Sequence, residues 1–184
     1  MEQKLAIFLA DEFEEIEGLT VVDICRRAGL EIDMVSISES LTVTGSHKIE
    51  VKADKLLSQV DFTEYDMLVL PGGLGGTKRL GDCKALMKQV DDFVVKNKWI
   101  AAICAAPTIF GKRGLLQGKK AGCYPGMEDG LLGAKVSMDE VSVDGTIITS
   151  RGMGTSIAFA LKIVEVFAGK ETTESLGKKI VYKG

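Results

Sequence analysis

Residues 99–107 have the sequence Trp99-Ile-Ala-Ala-Ile-Cys-Ala-Ala-Pro107, and this stretch decides the fold that we expect. The run before Cys104 is wholly apolar, as in a strand that is buried on both faces of a sheet. Proline suits the first turn of a helix, so Pro107 predicts a helix directly after the strand. Cys104 then lies at the corner, with Ala102 and Ala106 two positions on either side. This is the small-x-nucleophile-x-small arrangement of a nucleophile elbow, whose sharp turn leaves room only for small flanking side chains.

Two interpretations of Cys104 stay open on this evidence. A cysteine in an apolar strand is most often a small buried hydrophobic residue. In the elbow interpretation, the following helix directs the partial positive charge of its amino terminus at the sulfur and favours the nucleophilic thiolate. Cys25, Cys83 and Cys123 lack this context, and the chain has no CxxC pair. We therefore expect structural roles for those three, and reduced thiols rather than disulfides.

Strands and helices alternate along the rest of the chain. The predicted strands cover 4–10, 30–38, 66–70, 99–104 and 120–124, and β excursions cover 41–53 and 136–149. The predicted helices cover 16–28, 75–97, 107–116 and 155–168. This order predicts an α/β fold, a sandwich in which a mostly parallel sheet carries helices on both faces. The length of 184 residues predicts a single domain over 1–184.

Composition and charge exclude several functional classes. The chain has 46% hydrophobic residues and a formal net charge of −3, which argues against a polybasic nucleic-acid binder, an anionic-membrane binder and a disordered chain. The apolar run near the amino terminus is short and acidic residues follow it, so it does not resemble a signal peptide. The sequence also has no apolar span of about 18 residues. We therefore expect a cytoplasmic protein with neither nucleic-acid nor membrane partners.

An acidic turn follows the first predicted strand. Residues 11–17 contain five carboxylates within seven positions. Acidic residues collect at helix amino termini because the helix dipole favours them, and this alone could explain the turn. The alternative is that one carboxyl turns inward beside the cysteine, where a raised pKa would keep it protonated and able to move a proton. Glu17 is the best placed for this role, since the neighbouring Gly18 allows a close backbone approach.

A glycine-rich loop, Pro71-Gly-Gly-Leu-Gly-Gly76, follows the strand at 66–70. It does not fit the G-x-G-x-x-G fingerprint, and the chain has no P-loop, so nucleotide binding is disfavoured. The loop could simply be a turn that needs glycine. Alternatively, the N–H groups of Gly73 and Ala105 form an oxyanion hole above Cys104.

Two further polar residues are weaker candidates. His47 is the only histidine of the chain and lies in a polar turn, where an exposed position is more common than a catalytic one. Any catalytic pair of cysteine and histidine, or any metal site that includes histidine, would have to use His47 or the same residue of a symmetry-related copy. Arg27 ends the first predicted helix, where arginine usually offsets the helix dipole.

Several segments together resemble the ThiJ/PfpI superfamily, in the branch of the Parkinsonism-associated protein deglycases. The similar segments occur in family order and span nearly the whole chain. They are Glu14-Glu-Ile-Glu17, Val22-Asp-Ile-Cys-Arg-Arg-Ala-Gly29, Leu70-Pro-Gly-Gly73, Ala101-Ala-Ile-Cys-Ala-Ala-Pro107, Thr149-Ser-Arg-Gly-Met-Gly-Thr-Ser156 and Ala160-Leu-Lys-Ile-Val-Glu165.

The resemblance implies a flavodoxin-like three-layer sandwich that forms homodimers. It also implies that Cys104 is the reactive cysteine, that Glu17 is its protonated partner, and that Gly73 and Ala105 supply the nearby backbone donors. Many relatives have a histidine near the cysteine where this chain has Tyr124, so Tyr124 is a possible accessory residue, as are His47 and Arg27. The resemblance places His47 near the dimer interface. Since His47 is the only histidine, the resemblance implies that this chain lacks the Cys-His-acid set of protease-like relatives.

The activities that the resemblance implies are those of a glutathione-independent glyoxalase, or of a deglycase that acts on adducts of glyoxals. Either would act on a small dicarbonyl or glycated substrate and would need no metal or organic cofactor. The alternative is a non-enzymatic redox sensor or stress chaperone that works through oxidation of Cys104. A cysteine hydrolase or amidotransferase is a weaker alternative, because no histidine is evident to relay a proton to a leaving amine.

Overall fold

A seven-stranded sheet forms the middle layer of the computed structural model, which describes residues 3–183. In chain order, the strands are β1 (Lys4–Leu9), β2 (Glu31–Ser36), β3 (Thr42–Thr44), β4 (Glu50–Lys52), β5 (Lys55–Leu56), β6 (Met67–Leu70), β7 (Trp99–Ile103), β8 (Lys120–Ala121), β9 (Lys135–Val136), β10 (Val141–Asp144) and β11 (Ile147–Ser150). The helices are α1 (Glu15–Arg27), α2 (Leu74–Asp82), α3 (Lys84–Val95), α4 (Pro107–Lys112) and α5 (Ser156–Lys179).

The order of strands across the sheet is β10-β11-β7-β6-β1-β2-β5, and every neighbouring pair is parallel except β10 with β11. The chain leaves β1 for β2 on one side and later crosses back to β6 on the other. The carboxyl ends of β1 and β6 therefore meet at a switch point, where open α/β sheets bind their ligands. The predicted flavodoxin-like three-layer sandwich is confirmed.

The central strands are apolar throughout because both of their faces are covered. Leu5, Ile7 and Leu9 of β1 pack into the cluster formed with α1 and α5, and Ala6 and Phe8 pack into the opposite cluster with α3 and α4. All five side chains are fully buried. Side chains alternate between the faces of a strand, so a continuous apolar run is what a strand between two helical layers requires.

Three predicted helix boundaries are wrong. The helix expected over 75–97 is two helices, because Cys83 between them has an extended backbone with a ψ of 91°. The helix expected over 107–116 ends at Lys112, shortly before Gly114 takes a positive φ of 74°. The helix expected to end near Ala168 breaks at Gly169 but then continues to Lys179. Neither α5 nor another helix within residues 3–183 is long and apolar enough to cross a membrane.

The strand predictions hold in the centre of the sheet and weaken at its margins. The hairpins expected within 41–53 and 136–149 are present as β3–β4 and β10–β11. The strand expected over 120–124 is reduced to β8, which pairs with β9 outside the central sheet. The edge strand β5 was not predicted, because two residues carry too little pattern to indicate a strand.

Candidate active site

A cleft of about 770 Å³ opens at the carboxyl ends of the central strands. It is lined by Glu17 from α1, by Gly73 after β6, and by Cys104 and Ala105 after β7. Tyr124 lines it too and is half-exposed. The structure thus brings together five residues that the sequence analysis singled out from four separate segments.

Cys104 lies at a strained corner directly after β7. Its φ is +66°, a left-handed conformation that is unfavourable for a residue with a Cβ. Two hydrogen bonds hold the corner: its N–H donates to the Ser150 carbonyl at 3.0 Å, and its carbonyl accepts from the Tyr124 N–H at 2.8 Å. Ala102 and Ala106 are fully buried on either side. This is the elbow geometry that the small flanking residues predict, and it leaves the thiol only partly buried in the cleft.

Glu17 lies in the first turn of α1 and is only 1% exposed, although it is a carboxylic acid. One of its oxygens, Oε2, accepts a hydrogen bond from the Gly72 N–H at 2.9 Å, and the carboxyl also forms a hydrogen bond with Cys104. The adjacent Ile16 begins the apolar pattern of the predicted helix over 16–28, which favours an inward position, but it is 52% exposed in the cleft. Glu17 can occupy the inward position because Gly72 and Cys104 provide hydrogen-bond partners for its carboxyl.

The loop Pro71-Gly-Gly73 packs against the Glu17 carboxyl and the Cys104 side chain. A Cβ added to Gly72 would overlap the Glu17 carboxyl and would lie 2.6 Å from the Cys104 Cβ. A Cβ added to Gly73, whose φ is +87°, would lie 2.7 Å from the backbone nitrogen of Glu14. Gly72 therefore leaves the space in which the carboxyl and the thiol meet, and Gly73 lets the loop pack against the backbone of residues 12–14.

Burial is the largest influence on the Glu17 carboxyl, and it raises the pKa of Glu17 to about 7. The hydrogen bonds from Cys104 and Gly72 favour the ionised form and oppose this shift, whereas the nearby charge of Glu14 adds to it. A substantial fraction of the protein therefore holds a proton on Glu17 at neutral pH.

Burial also raises the pKa of the Cys104 thiol, and the Glu17 carboxylate raises it further, to about 12. The N–H groups of Gly73 and Ala105 hydrogen-bond to the sulfur and lower it. The helix end alone therefore does not set the pKa of this thiol, because burial and the carboxylate outweigh it. The charge repulsion from Glu17 disappears once that group takes up a proton. Loss of the thiol proton from Cys104 is therefore less unfavourable where Glu17 is neutral, although burial still raises the pKa of the thiol.

His47 lies at the edge of the same cleft and faces α1 rather than the thiol. Its Nδ1 is 3.0 Å from Oε2 of Glu15 and 3.6 Å from Oε1 of Glu14, and its side chain is 68% exposed. Glu15 is almost fully buried. Its burial favours the neutral form, but hydrogen bonds from the His47 side chain and backbone lower the pKa of Glu15 to about 2. No local pattern indicates this pairing, because the partners are 32 residues apart.

Arg27 does not belong to the cleft. It lies at the far end of α1, about 15 Å along the helix from Glu17 at 1.5 Å per residue. Its Nε forms an ion pair with Asp23 at 2.5 Å. We therefore remove it from the candidate site.

The mouth of the cleft is apolar, a feature that the sequence analysis missed. Ile16, Ile49, Leu74 and Met153 line it with between half and three-quarters of each residue exposed. Exposed apolar residues gathered at one place usually mark a surface that binds a ligand or a partner. Each of these residues comes from a different segment, so no local pattern could have indicated the group.

Comparison with known proteins identifies the family and the shared fold of this chain. The model of the DJ-1/PfpI family matches residues 3–166. Protein DJ-1 homolog A of Arabidopsis thaliana is 40% identical over 95% of this chain, and the chain spans 45% of that relative's length. Glutathione-independent glyoxalase DJR-1.2 of Caenorhabditis elegans is 32% identical, with 97% of this chain and 96% of the relative covered.

The solved structure of oxidized Toxoplasma gondii DJ-1 is similar over 99% of this chain and 100% of that one. Its TM-score is 0.94 and its sequence identity is 37%. Both the sequence and the fold are therefore shared over nearly the full length, and the chain belongs to the DJ-1/PfpI family.

Proposed function

We propose that this protein is a glutathione-independent glyoxalase that converts methylglyoxal or glyoxal into a 2-hydroxy acid through Cys104. The observation that carries the proposal is the meeting of the Cys104 thiol and the buried Glu17 carboxyl beside Gly72. The name of the Caenorhabditis elegans relative gives independent support for this class of reaction.

The reaction begins with addition of the thiol to the aldehyde. As the sulfur attacks the aldehyde carbon, its proton ends on the former aldehyde oxygen, and a hemithioacetal forms. The N–H groups of Gly73 and Ala105 hydrogen-bond to the sulfur and stabilise the attacking thiolate. We expect the same donors to stabilise negative charge that develops on the adjacent oxygen.

Glu17 then moves one proton between two carbon atoms. As a carboxylate it removes the proton from the hemithioacetal carbon, which gives an enediolate, and as an acid it delivers that proton to the neighbouring carbon. The hydroxyl proton of the former hemithioacetal carbon passes to the neighbouring oxygen, so one carbonyl forms as the other becomes a hydroxyl. A pKa near 7 suits both steps at neutral pH. The product is a thioester of the 2-hydroxy acid, and water hydrolyses it to lactate or glycolate and the free thiol. In the overall reaction, one dicarbonyl and one water give one 2-hydroxy acid, and no external oxidant or reductant is needed.

The same thiol could act as a deglycase on a hemithioacetal or aminocarbinol adduct of a glyoxal. This finer assignment depends on the size of adduct that the cleft admits. Parallel assays with free methylglyoxal and with its adduct to N-acetylcysteine separate the two activities, provided that release of free dicarbonyl is measured in each assay.

We expect the Cys104→Ala variant to form no lactate from methylglyoxal, because the covalent step is lost. Lactate is measured by proton NMR in glutathione-free buffer. Cys83→Ala is the matched control, since Cys83 is the other partly exposed thiol and does not line the cleft. Full turnover in the Cys104→Ala variant would refute the proposal.

Oxidation of Cys104 is the second candidate function. Among the four cysteines, Cys104 is the one that lines the cleft, and Glu17 beside it could hydrogen-bond to an oxidised sulfur. The similar Toxoplasma gondii protein was solved in an oxidized form. Intact-mass analysis after mild peroxide treatment separates the two candidates. A selective gain of two oxygen atoms at Cys104, combined with negligible turnover of aldehyde, favours redox sensing.

A further inference from the structure

A cluster of three metal-ligating side chains lies at the edge of the cleft, apart from the pair of Cys104 and Glu17. Glu14 directly precedes α1, Glu15 begins it, and His47 lies in the loop between β3 and β4. One ligand atom from each residue lies within 4.8 Å of the other two. The glyoxalase mechanism uses none of the three.

The two separations that start from the imidazole are close to those of ligands around one metal ion. With metal–ligand bonds of about 2.1 Å, two ligands lie about 3.0 Å apart at a right angle and about 3.4 Å apart at a tetrahedral angle. The Nδ1 atom of His47 is 3.0 Å from Oε2 of Glu15 and 3.6 Å from Oε1 of Glu14. A small ion could bind all three with only slight movement of the side chains.

The loop that carries His47 is held in place against α1. The Ser46 N–H donates to the Phe13 carbonyl at 2.9 Å, and the His47 N–H donates to Oε1 of Glu15 at 2.7 Å. The Ser46 hydroxyl also donates to Glu14 and Glu15 at 3.3 and 3.2 Å. Neighbouring hydrogen bonds that orient the ligands in this way reduce the cost of assembling a metal site.

The charges also favour a cation at this position. Two carboxylates face one imidazole, and within residues 3–183 neither of them forms an ion pair with a lysine or an arginine. A neutral imidazole leaves both negative charges uncompensated, and Glu15 is almost fully buried. A divalent ion would balance them.

We propose that Glu14, Glu15 and His47 bind one zinc ion. Imidazole nitrogen with carboxylate oxygen is a ligand set that zinc accepts, whereas calcium and magnesium prefer oxygen alone. All three ligands line the cleft. The ion would keep a fourth position free for water or for an oxygen of a bound ligand. This site does not depend on the proposed glyoxalase activity.

The test is a zinc titration of tag-free protein followed by calorimetry. Cys83 and Cys104 are both replaced by alanine in this background, because partly exposed thiols also bind zinc. We expect one zinc per chain. The His47→Gln variant should weaken binding at least about tenfold, because losing a ligand should cost no less than losing a residue that supports a ligand, which typically costs about 10–100-fold. Glu12→Gln is the matched control: it removes a carboxylate from the same turn, outside the cluster, and should leave the affinity unchanged.

Nitrogen NMR of the imidazole gives a second readout. His47 is the only histidine, so its ring signals need no further assignment. Zinc should shift Nδ1 much more than Nε2. Unchanged zinc affinity in His47→Gln, equal binding of calcium, or a shift confined to Nε2 would each overturn the proposal. All these measurements are made without substrate, so failure of the glyoxalase activity does not affect them.

Discussion

At the scale of single residues, the protein places an acid where its helix pattern calls for an apolar side chain. Glu17 occupies the inward position of α1, and Ile16 is turned out into the cleft. A buried carboxyl is unfavourable unless it finds hydrogen-bond partners, and here Cys104 and the Gly72 N–H provide them. The acid is thus held close to the sulfur in a form that can gain or lose a proton near neutral pH.

The raised pKa of Glu17 has a measurable effect on stability. Its pKa rises from 4.5, the ordinary value, to about 7 in the folded protein, so the folded state binds more protons between those values. The free energy of unfolding should therefore fall as the pH rises from 4.5 to 7, by about 3 kcal/mol from this group. Urea unfolding across this range should show the fall in the parent protein and not in Glu17→Gln.

Glu15 provides a contrast within the same helix turn. Its pKa is lowered to about 2, so its contribution is present above pH 4.5 and is lost as the pH falls towards 2. Glu15→Gln should therefore change the stability curve below pH 4.5 and keep the fall between 4.5 and 7. If Glu17→Gln retains that fall, the carboxyl is not held in its neutral form by burial.

Gly72→Ala should disturb the site by steric overlap, without removing any polar group. The added Cβ would overlap the Glu17 carboxyl, and overpacking of this kind costs about 1–3 kcal/mol. Alkylation of Cys104 by iodoacetamide should also change its pH dependence, because the carboxyl is displaced. Gly154→Ala is the control, since a Cβ there has no neighbour within 4 Å. Equal stability and equal alkylation in the two variants would contradict the assigned role of Gly72.

The sequence predicted which residues meet at the centre of the cleft better than it predicted their surroundings. Cys104 stands out because a strand, small flanking residues and a proline meet there, and all of these are local features. The pairing of His47 with Glu15 is not local, since it depends on how the β3–β4 loop folds back onto α1. The apolar mouth of the cleft was missed for the same reason.

At the scale of elements, the hydrophobic pattern of the sequence predicts strands correctly where both faces of a strand are buried. It predicts helix boundaries wrongly where a single residue changes the backbone conformation. The central strands were predicted because helices cover both of their faces. The break at Cys83 was missed because the apolar spacing of 75–97 continues across it. At Gly169 the break was expected but the second half of α5 was not, since the helix resumes after a single non-helical residue.

Two glycines of α5 should respond in opposite ways to alanine. Gly169 has a φ of 81° and a ψ of 166°, a region that is almost exclusive to glycine, so Gly169→Ala should lower the free energy of unfolding by about 1–3 kcal/mol. Gly177 lies within the helix, with 4.0 Å to the nearest side chain, and Gly177→Ala should raise it by up to about 1 kcal/mol. Urea unfolding at one protein concentration checks both predictions. A change in the free energy of unfolding of the same sign in both variants would contradict the non-helical backbone at Gly169.

At the scale of the whole molecule, the strand order gathers the site. Because β1, β6 and β7 are adjacent, the loops that carry Glu17, Gly73 and Cys104 leave the sheet side by side. We propose that the apolar mouth of this cleft lies at or near the contact between two copies of the chain. Sedimentation equilibrium should then give about 40 kDa, twice the 19.8 kDa of one chain. Ile49→Glu should shift the mass towards the monomer, whereas Val95→Glu, on an exposed surface away from the cleft, should not.

The two outermost strands of the sheet limit how such an assembly can form. On one side β5 has only two residues, and on the other β10 has only four. Short borders of this kind offer few free backbone groups to a strand of another molecule. Two copies of the chain would therefore associate through side-chain contacts and form a closed dimer. They would not pair their edge strands to extend the sheet from one molecule into the next.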